Sequence, residues 1–426
     1  MFWNQLAEYL LWISLIGGLP VGLNLLYTYI EDKFIDYKKG KYSKTQQFVI
    51  LRIFPPVLNK TSFQEMESFF EAMWSIYKER TPYKLLTLGR SYENLTFEFH
   101  SNGGKVAIFA RINTINEEVL RTHLISRFPG IQIVRYPDPF EDWPKDWQRK
   151  GKYTQMWASD FKPVEIATGK ETDLFPLKSW REFQKKDQVP IADPISHLFS
   201  CLRNLDPKAY LVIQFVTRPL YAKKQIDKWM QAYQARKTEF LGEAKSVNKK
   251  GKIISTIPTQ RKIVSEIMRK IKSFNYLCKI RAVALAEEGV DLGAIESMVM
   301  SYFVQFDSEM VKMAKQKDTQ TDCGADGQGF AFLSPIVGDV LEKIYWERER
   351  YLREKMLYAG LIKRNIDIGS PYYYLDTQSL ATMIHFPYTN EKDLLYQKLF
   401  AIKNRSLEPT TADQLPSSHV PANLPH

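Results

Sequence analysis

The chemistry-bearing residues that crowd together in this 426-residue chain are cations, and the chemistry they suggest is the attraction of anions. Lys245, Lys249, Lys250 and Lys252 lie in the loop 245–252 (KSVNKKGK), and Arg261 and Lys262 follow it, continued by Arg269, Lys270 and Lys272. These are candidate anion-binding residues for DNA phosphate or for anionic lipid headgroups. The competing reading is a solvated loop with polar helix faces, since charge alone reports only sequence-independent attraction. A formal net charge of +11 favours the same partners without choosing among them.

Catalytic constellations are hard to assemble from this sequence. No GxxxxGK[ST] occurs, so there is no recognisable phosphate-cradling loop and no expectation of ATP hydrolysis by the chain itself. The glycine-rich stretch 324–329 (GADGQG) has the wrong spacing and follows a polar segment, which reads as a plain loop. His100, His123, His197 and His385 are scattered, with no HExxH and no CxxC beside them, so metal ligation finds little support. Cys201, Cys278 and Cys323 are equally dispersed and read as thiols of a reducing compartment. Ser200 and Cys201 fall in an apolar helix without a base that sequence can place. The expectation is a non-enzyme with no catalytic residue, metal or cofactor.

Behind a short N-terminus (1–8), residues 9–30 (YLLWISLIGGLPVGLNLLYTYI) form an uncharged apolar run of 22 residues. As a helix it would reach about 33 Å, enough to cross a hydrocarbon core of roughly 30 Å. Tyr9 and Trp12 at one end and Tyr27 and Tyr29 at the other suit the two interfaces, and Pro20 suggests a kink. Lys33, Lys38, Lys39, Lys41 and Lys44 crowd the linker 31–45, so the positive-inside rule predicts a single-pass helix in the cytoplasmic membrane, N-terminus out, with the bulk of the chain cytoplasmic. The lipid bilayer is then an expected partner.

The remainder reads as α+β. Residues 48–54 (FVILRIF), 95–100 (LTFEFH), 106–112 (VAIFARI) and 131–136 alternate as strands, separated by a helix at 62–77 and another ending near 128. That order, βαββαβ, is the ferredoxin-like split motif and occupies 46–140. A second copy over 150–334 uses a strand region in 153–167, a helix at 194–205 behind Asp193, strands at 210–217 and 274–285, a helix at 291–302, and a last strand opening at 303–306. Its middle strands are separated by a helical insertion, 221–272. A helical segment, 335–405, and a flexible proline-rich tail, 406–426, complete the expected organisation.

Residues 375–387 (LDTQSLATMIHFP), followed by a polar linker and the ending PANLP, resemble the region just before the motor in a bacterial family related to type IV secretion coupling proteins. In that family a membrane anchor and an α+β region precede a HerA-FtsK-type P-loop ATPase. The resemblance is sharp over those thirteen residues and the last five, and its plain alternative is a capped helix with Thr377 as N-cap. It implies that Leu375, Thr377, Leu380, Met383, His385, Phe386 and Pro387 are candidate partner contacts. Because the chain stops where a motor would begin, it also implies a separate ATPase, docked or positioned by this chain in a secretion-like or conjugative translocation system. DNA and further copies of the chain stay open as partners. The alternative is a membrane-tethered scaffold or an anionic-lipid or nucleic-acid-binding module without a motor.

Overall fold

The first strand, β1 (Phe48–Phe54), leads into helix α1 (Phe63–Met73), whose Phe63, Met66, Phe70 and Met73 recur at helical spacing and are buried. β2 (Leu95–Asn102) and β3 (Lys105–Asn113) then form a hairpin. Its turn needs Gly103 and Gly104, which adopt φ of +54° and +84° and press against the backbone of Pro207 and Arg203 so closely that a Cβ would collide. Helix α2 (Glu117–Arg127) and β4 (Gln132–Tyr136) complete the first half. This computed structural model describes residues 23–56, 59, 63–76, 94–183, 193–219, 227–235, 258–321 and 335–387, apart from 32, 36, 39, 40, 43 and 44.

The second half repeats the order with β5 (Gln155–Glu165), α3 (Pro194–Arg203), β6 (Ala209–Pro219), β7 (Asn275–Ala286), α5 (Leu292–Phe303) and β8 (Val311–Lys315), and adds α4 (Pro258–Lys272) between its middle strands β6 and β7. Helix starts follow local chemistry. Asp193 accepts a hydrogen bond from Ile195 N with Pro194 in the first turn, and Asp291 accepts from Gly293 N and Ala294 N. Strand order is β4-β1-β3-β2 in the first half and β6-β7-β5-β8 in the second. β2 and β6 pair antiparallel from Leu95↔Thr217 to Asn102↔Tyr210, so the halves share one continuous sheet.

Pairing register divides the sheet into two chemically different faces. One row across it reads Leu51, Ala110, Phe97, Phe215, Ile280, Phe161, and these side chains enter the main core beneath α1, α2, α3 and α5. The adjacent row points the other way and reads Arg52, Phe109, Glu98, Gln214, Arg281, Asp160. Helix α6 (Pro335–Lys363) crosses this second face. There Leu357, Tyr358 and Leu361 pack with Trp147, Met156, Val212 and Val283. After α6 the chain returns to the sheet, where β9 (Tyr373–Asp376) pairs with β7 and the short helix α7 (Thr377–Met383) enters the main core.

The membrane-spanning helix expected at 9–30 must be corrected. No helix among the described residues is long and apolar enough to cross a membrane. Of that run only residues 23–30 are described; they are helical, and residues 9–22 lie outside the described residues. The strand expected at 303–306 is also absent, since α5 runs to Phe303 and a 3-10 turn, Val304–Phe306, follows it. Phe303 and Phe306 are both buried at helical spacing, and the strand forms later, at Val311–Lys315.

Leu375 is fully buried where β9 meets β7 and the core. Leu375→Ala is expected to lower stability by about 2–5 kcal/mol, read by chemical denaturation.

Candidate functional site

Covering the second face with a helix removes water from charges on the strands, and each must find a partner. Arg364, directly after α6, supplies one. Its guanidinium donates to Glu98 (Nε to Oε1, 2.8 Å) and forms a two-bond fork with Asp138 (2.8 Å each). Gln214 Nε2 donates to Glu98 Oε1 (2.8 Å) and to Leu361 O (3.0 Å), tying β6 to the last turn of the helix. His100 bridges Glu98 Oε2 (3.0 Å) and the Tyr210 hydroxyl (2.8 Å). Burial works to raise the Glu98 carboxyl, but Arg364 and His100 together outweigh it and hold it at about 2.

A second knot lies on β5 and β7. Arg281 Nε donates to Asp160 Oδ1 (2.9 Å) with both side chains fully buried. Asp160 Oδ2 accepts from Ser370 N (2.8 Å) and Ser370 Oγ (3.0 Å), while Lys279 Nζ donates to Ile368 O (2.7 Å). The loop after α6 is thereby pulled onto the strands. Gly369, at φ +96°, leaves no room for a Cβ, which would stand 2.3 Å from Asp160 Oδ2. Further along α6, Glu354 accepts from Trp147 Nε1 (2.8 Å) and from Arg149 Nε (2.8 Å), holding the segment before β5.

Beside these knots, the same face of the first half is concave. A cavity of about 520 Å³ is lined by Phe48, Ile50, Arg111, Arg135, Tyr136 and Asp138 among others. Arg135 is bound to Glu117 (Nη2 to Oε2, 2.6 Å) and Asp138 to Arg364, so those charges are already matched. Arg111 differs. Its guanidinium lies 3.6 Å from the centre of the Phe48 ring, and no carboxylate or carbonyl of the described residues is in hydrogen-bond reach of it.

The residues singled out from sequence are not brought together. Tyr9, Trp12, Pro20, Lys39 and Lys44 lie outside the described residues, as do Lys245, Lys249, Lys250 and Lys252. Tyr27 and Tyr29 are exposed on a helical stretch that also carries Lys33 and Lys38, and Lys41 is exposed. Arg261 belongs to α4, and Lys262 on the same helix is exposed and lies 3.6 Å from Glu182 and 3.8 Å from Glu266. Leu375, Thr377, Leu380, Met383, His385 and Phe386 are all buried in this chain's own interior, and Pro387 is half-buried. His385 Nε2 donates to Asp193 Oδ1 (2.7 Å), and Asn59 Nδ2 donates to Phe386 O (3.0 Å) and Pro387 O (3.1 Å).

His197 and Cys201 share one face of α3, with the sulfur 3.7 Å from Nε2, but burial pushes the Cys201 thiol up, the opposite of an activated nucleophile. Among the described residues no group of His, Cys, Asp and Glu side chains could hold a metal ion. Sequence reading missed Arg111, Glu98, Asp160 and Arg281, although charges within apolar strands (LTFEFH, LCKIRAVALA) were a visible signal. No protein-family model matches the chain, and no curated protein matches it either.

The depressed Glu98 carboxyl fixes the sign of a pH effect. An ordinary glutamate ionises near 4.3, so the stability due to Glu98 is fully present above about pH 5 and is lost as pH falls towards 2. Thermal melting across that window is expected to show an acid limb that is shallower in Glu98→Gln. That variant is also expected to be about 3–5 kcal/mol less stable at pH 7, because Arg364 loses a buried partner.

Proposed function

We propose that this chain is a non-catalytic platform of a type IV secretion-like or conjugative translocation system, which docks and positions a P-loop ATPase of the HerA-FtsK type. The observation that carries this reading is the placement of residues 375–387, the stretch that resembles the family's pre-motor region. β9 pairs with β7, Tyr302 Oη donates to Met383 O (2.6 Å), Trp180 N donates to Thr382 Oγ1 (2.9 Å), and Asn59 clamps Phe386 and Pro387. A segment tied at so many points holds its end at one position and angle relative to the sheet. That rigidity is what a mount for a motor requires.

The buried side chains of this segment would then act by fixing geometry, not by touching the partner.

Affinity purification of the full chain from its native cells tests the reading. A HerA-FtsK-type ATPase is expected to co-purify and to be lost when residues 388–426 are removed. Absence of any such ATPase, or its undiminished recovery with the shortened chain, would contradict the proposal.

A further inference from the structure

The concavity on the second face of the first half has a property that the docking reading does not use. Across the strands, one row runs Tyr136, Ile50, Arg111, Thr96. Thr96 is fully buried and its hydroxyl has no hydrogen-bond partner, and Arg111 beside it carries a charge that no described anion contacts. Burial pushes the Arg111 guanidinium down to about 10, and Arg364 adds to this; Glu98 and Asp138 pull the other way and do not offset it. A cation held this way raises the free energy of the folded chain until an anion arrives.

We propose that this cavity binds a phosphate group, with the Arg111 guanidinium as its charge partner. Three features define the ligand. The planar fork of arginine suits the paired oxygens of a phosphate, and its stack on Phe48 fixes the plane of that fork. The volume of about 520 Å³ is that of a small-molecule site and exceeds what a bare oxyanion fills. The wall carries the aromatic rings of Phe48 and Tyr136, which can pack against a planar group borne by the phosphate. The shared chemistry is therefore phosphate, supplied as the free ion or as the ester of a nucleoside, whose base is planar.

Asp138 also lines the cavity, and its carboxylate is taken by both Nη atoms of Arg364 at 2.8 Å, which limits its repulsion of an anion. Arg135 stands at the rim, with its charge shared with Glu117.

Thermal shift and calorimetric titration of the full chain with inorganic phosphate and with AMP, against chloride at matched ionic strength, test the proposal. Saturable binding is expected, with a melting temperature that rises with ligand concentration. Arg111→Gln should weaken it by about tenfold or more, while Arg111→Lys, which keeps the charge and loses the fork, should fall between. The unliganded Arg111→Gln chain should melt no lower than the parent, because an uncompensated cation has been removed. Binding of AMP well above phosphate assigns the planar group to the aromatic wall, and equal binding confines recognition to Arg111. Protection of Arg111 from phenylglyoxal by phosphate, read by mass spectrometry, gives the same answer without any variant. No effect of either ligand beyond chloride, or equal effects in the parent and Arg111→Gln, would overturn the proposal. Loss of the ATPase partner would leave it standing.

Discussion

A sheet that carries Glu98, Arg281, Asp160 and Lys279 on one face cannot be covered by an apolar helix alone, and that constraint organises the molecule. Each charge removed from water costs several kcal/mol unless it is matched. The match is supplied by the last turn of α6 and the loop behind it: Arg364, Leu361 O, Ile368 O and Ser370. Arg364 even adopts φ of +51°, a conformation that disfavours residues with a Cβ by about 1–2 kcal/mol and is usually left to glycine after a helix. The side chain explains the exception. Its hydrogen bonds to Glu98 and Asp138 require the backbone to turn there.

The rest of the architecture follows from this attachment. With its C-terminal end locked, α6 spans the seam where β2 and β6 join the two halves, since Gln214 on β6 and Glu98 on β2 are both tied to its end. Gly360 and Gly369 leave space for the Arg281 guanidinium and the Asp160 carboxylate. The chain can then run directly to β9 and α7, which close the main core on the opposite side. Charges on one face thus decide where β9 and α7 sit on the other. Arg111 is one charged residue on this face that the attachment does not match, and it borders open space.

Much of the strand and helix order was legible because it rests on local periodicity. The hairpin at SNGG, the Asp193-Pro194 helix start and the alternation of β2 follow from short-range rules. The joining of the halves was not, because pairing of β2 with β6 depends on which edges remain free after each half has folded. β9 was missed since four residues give too little alternation, and its partner β7 lies about a hundred residues earlier. The ionic contacts were hidden for the same reason: Arg364 meets Glu98 across 266 positions and Arg281 meets Asp160 across 121. The apolar run at 9–30 shows the reverse error. Composition alone suggested a spanning helix, whereas among the described residues no helix is long and apolar enough to cross a membrane.

The central claim, that the buried charge layer fastens α6 and both halves into one cooperative unit, is most directly tested by native-state hydrogen exchange resolved by residue. Amides of Ile362 and Arg364 at the end of α6 and of Phe97, Ile213 and Arg281 in β2, β6 and β7 should open with one shared free energy, close to that of global unfolding. Exchange at the end of α6 through a separate opening of much lower free energy, with the strands still protected, would contradict the account.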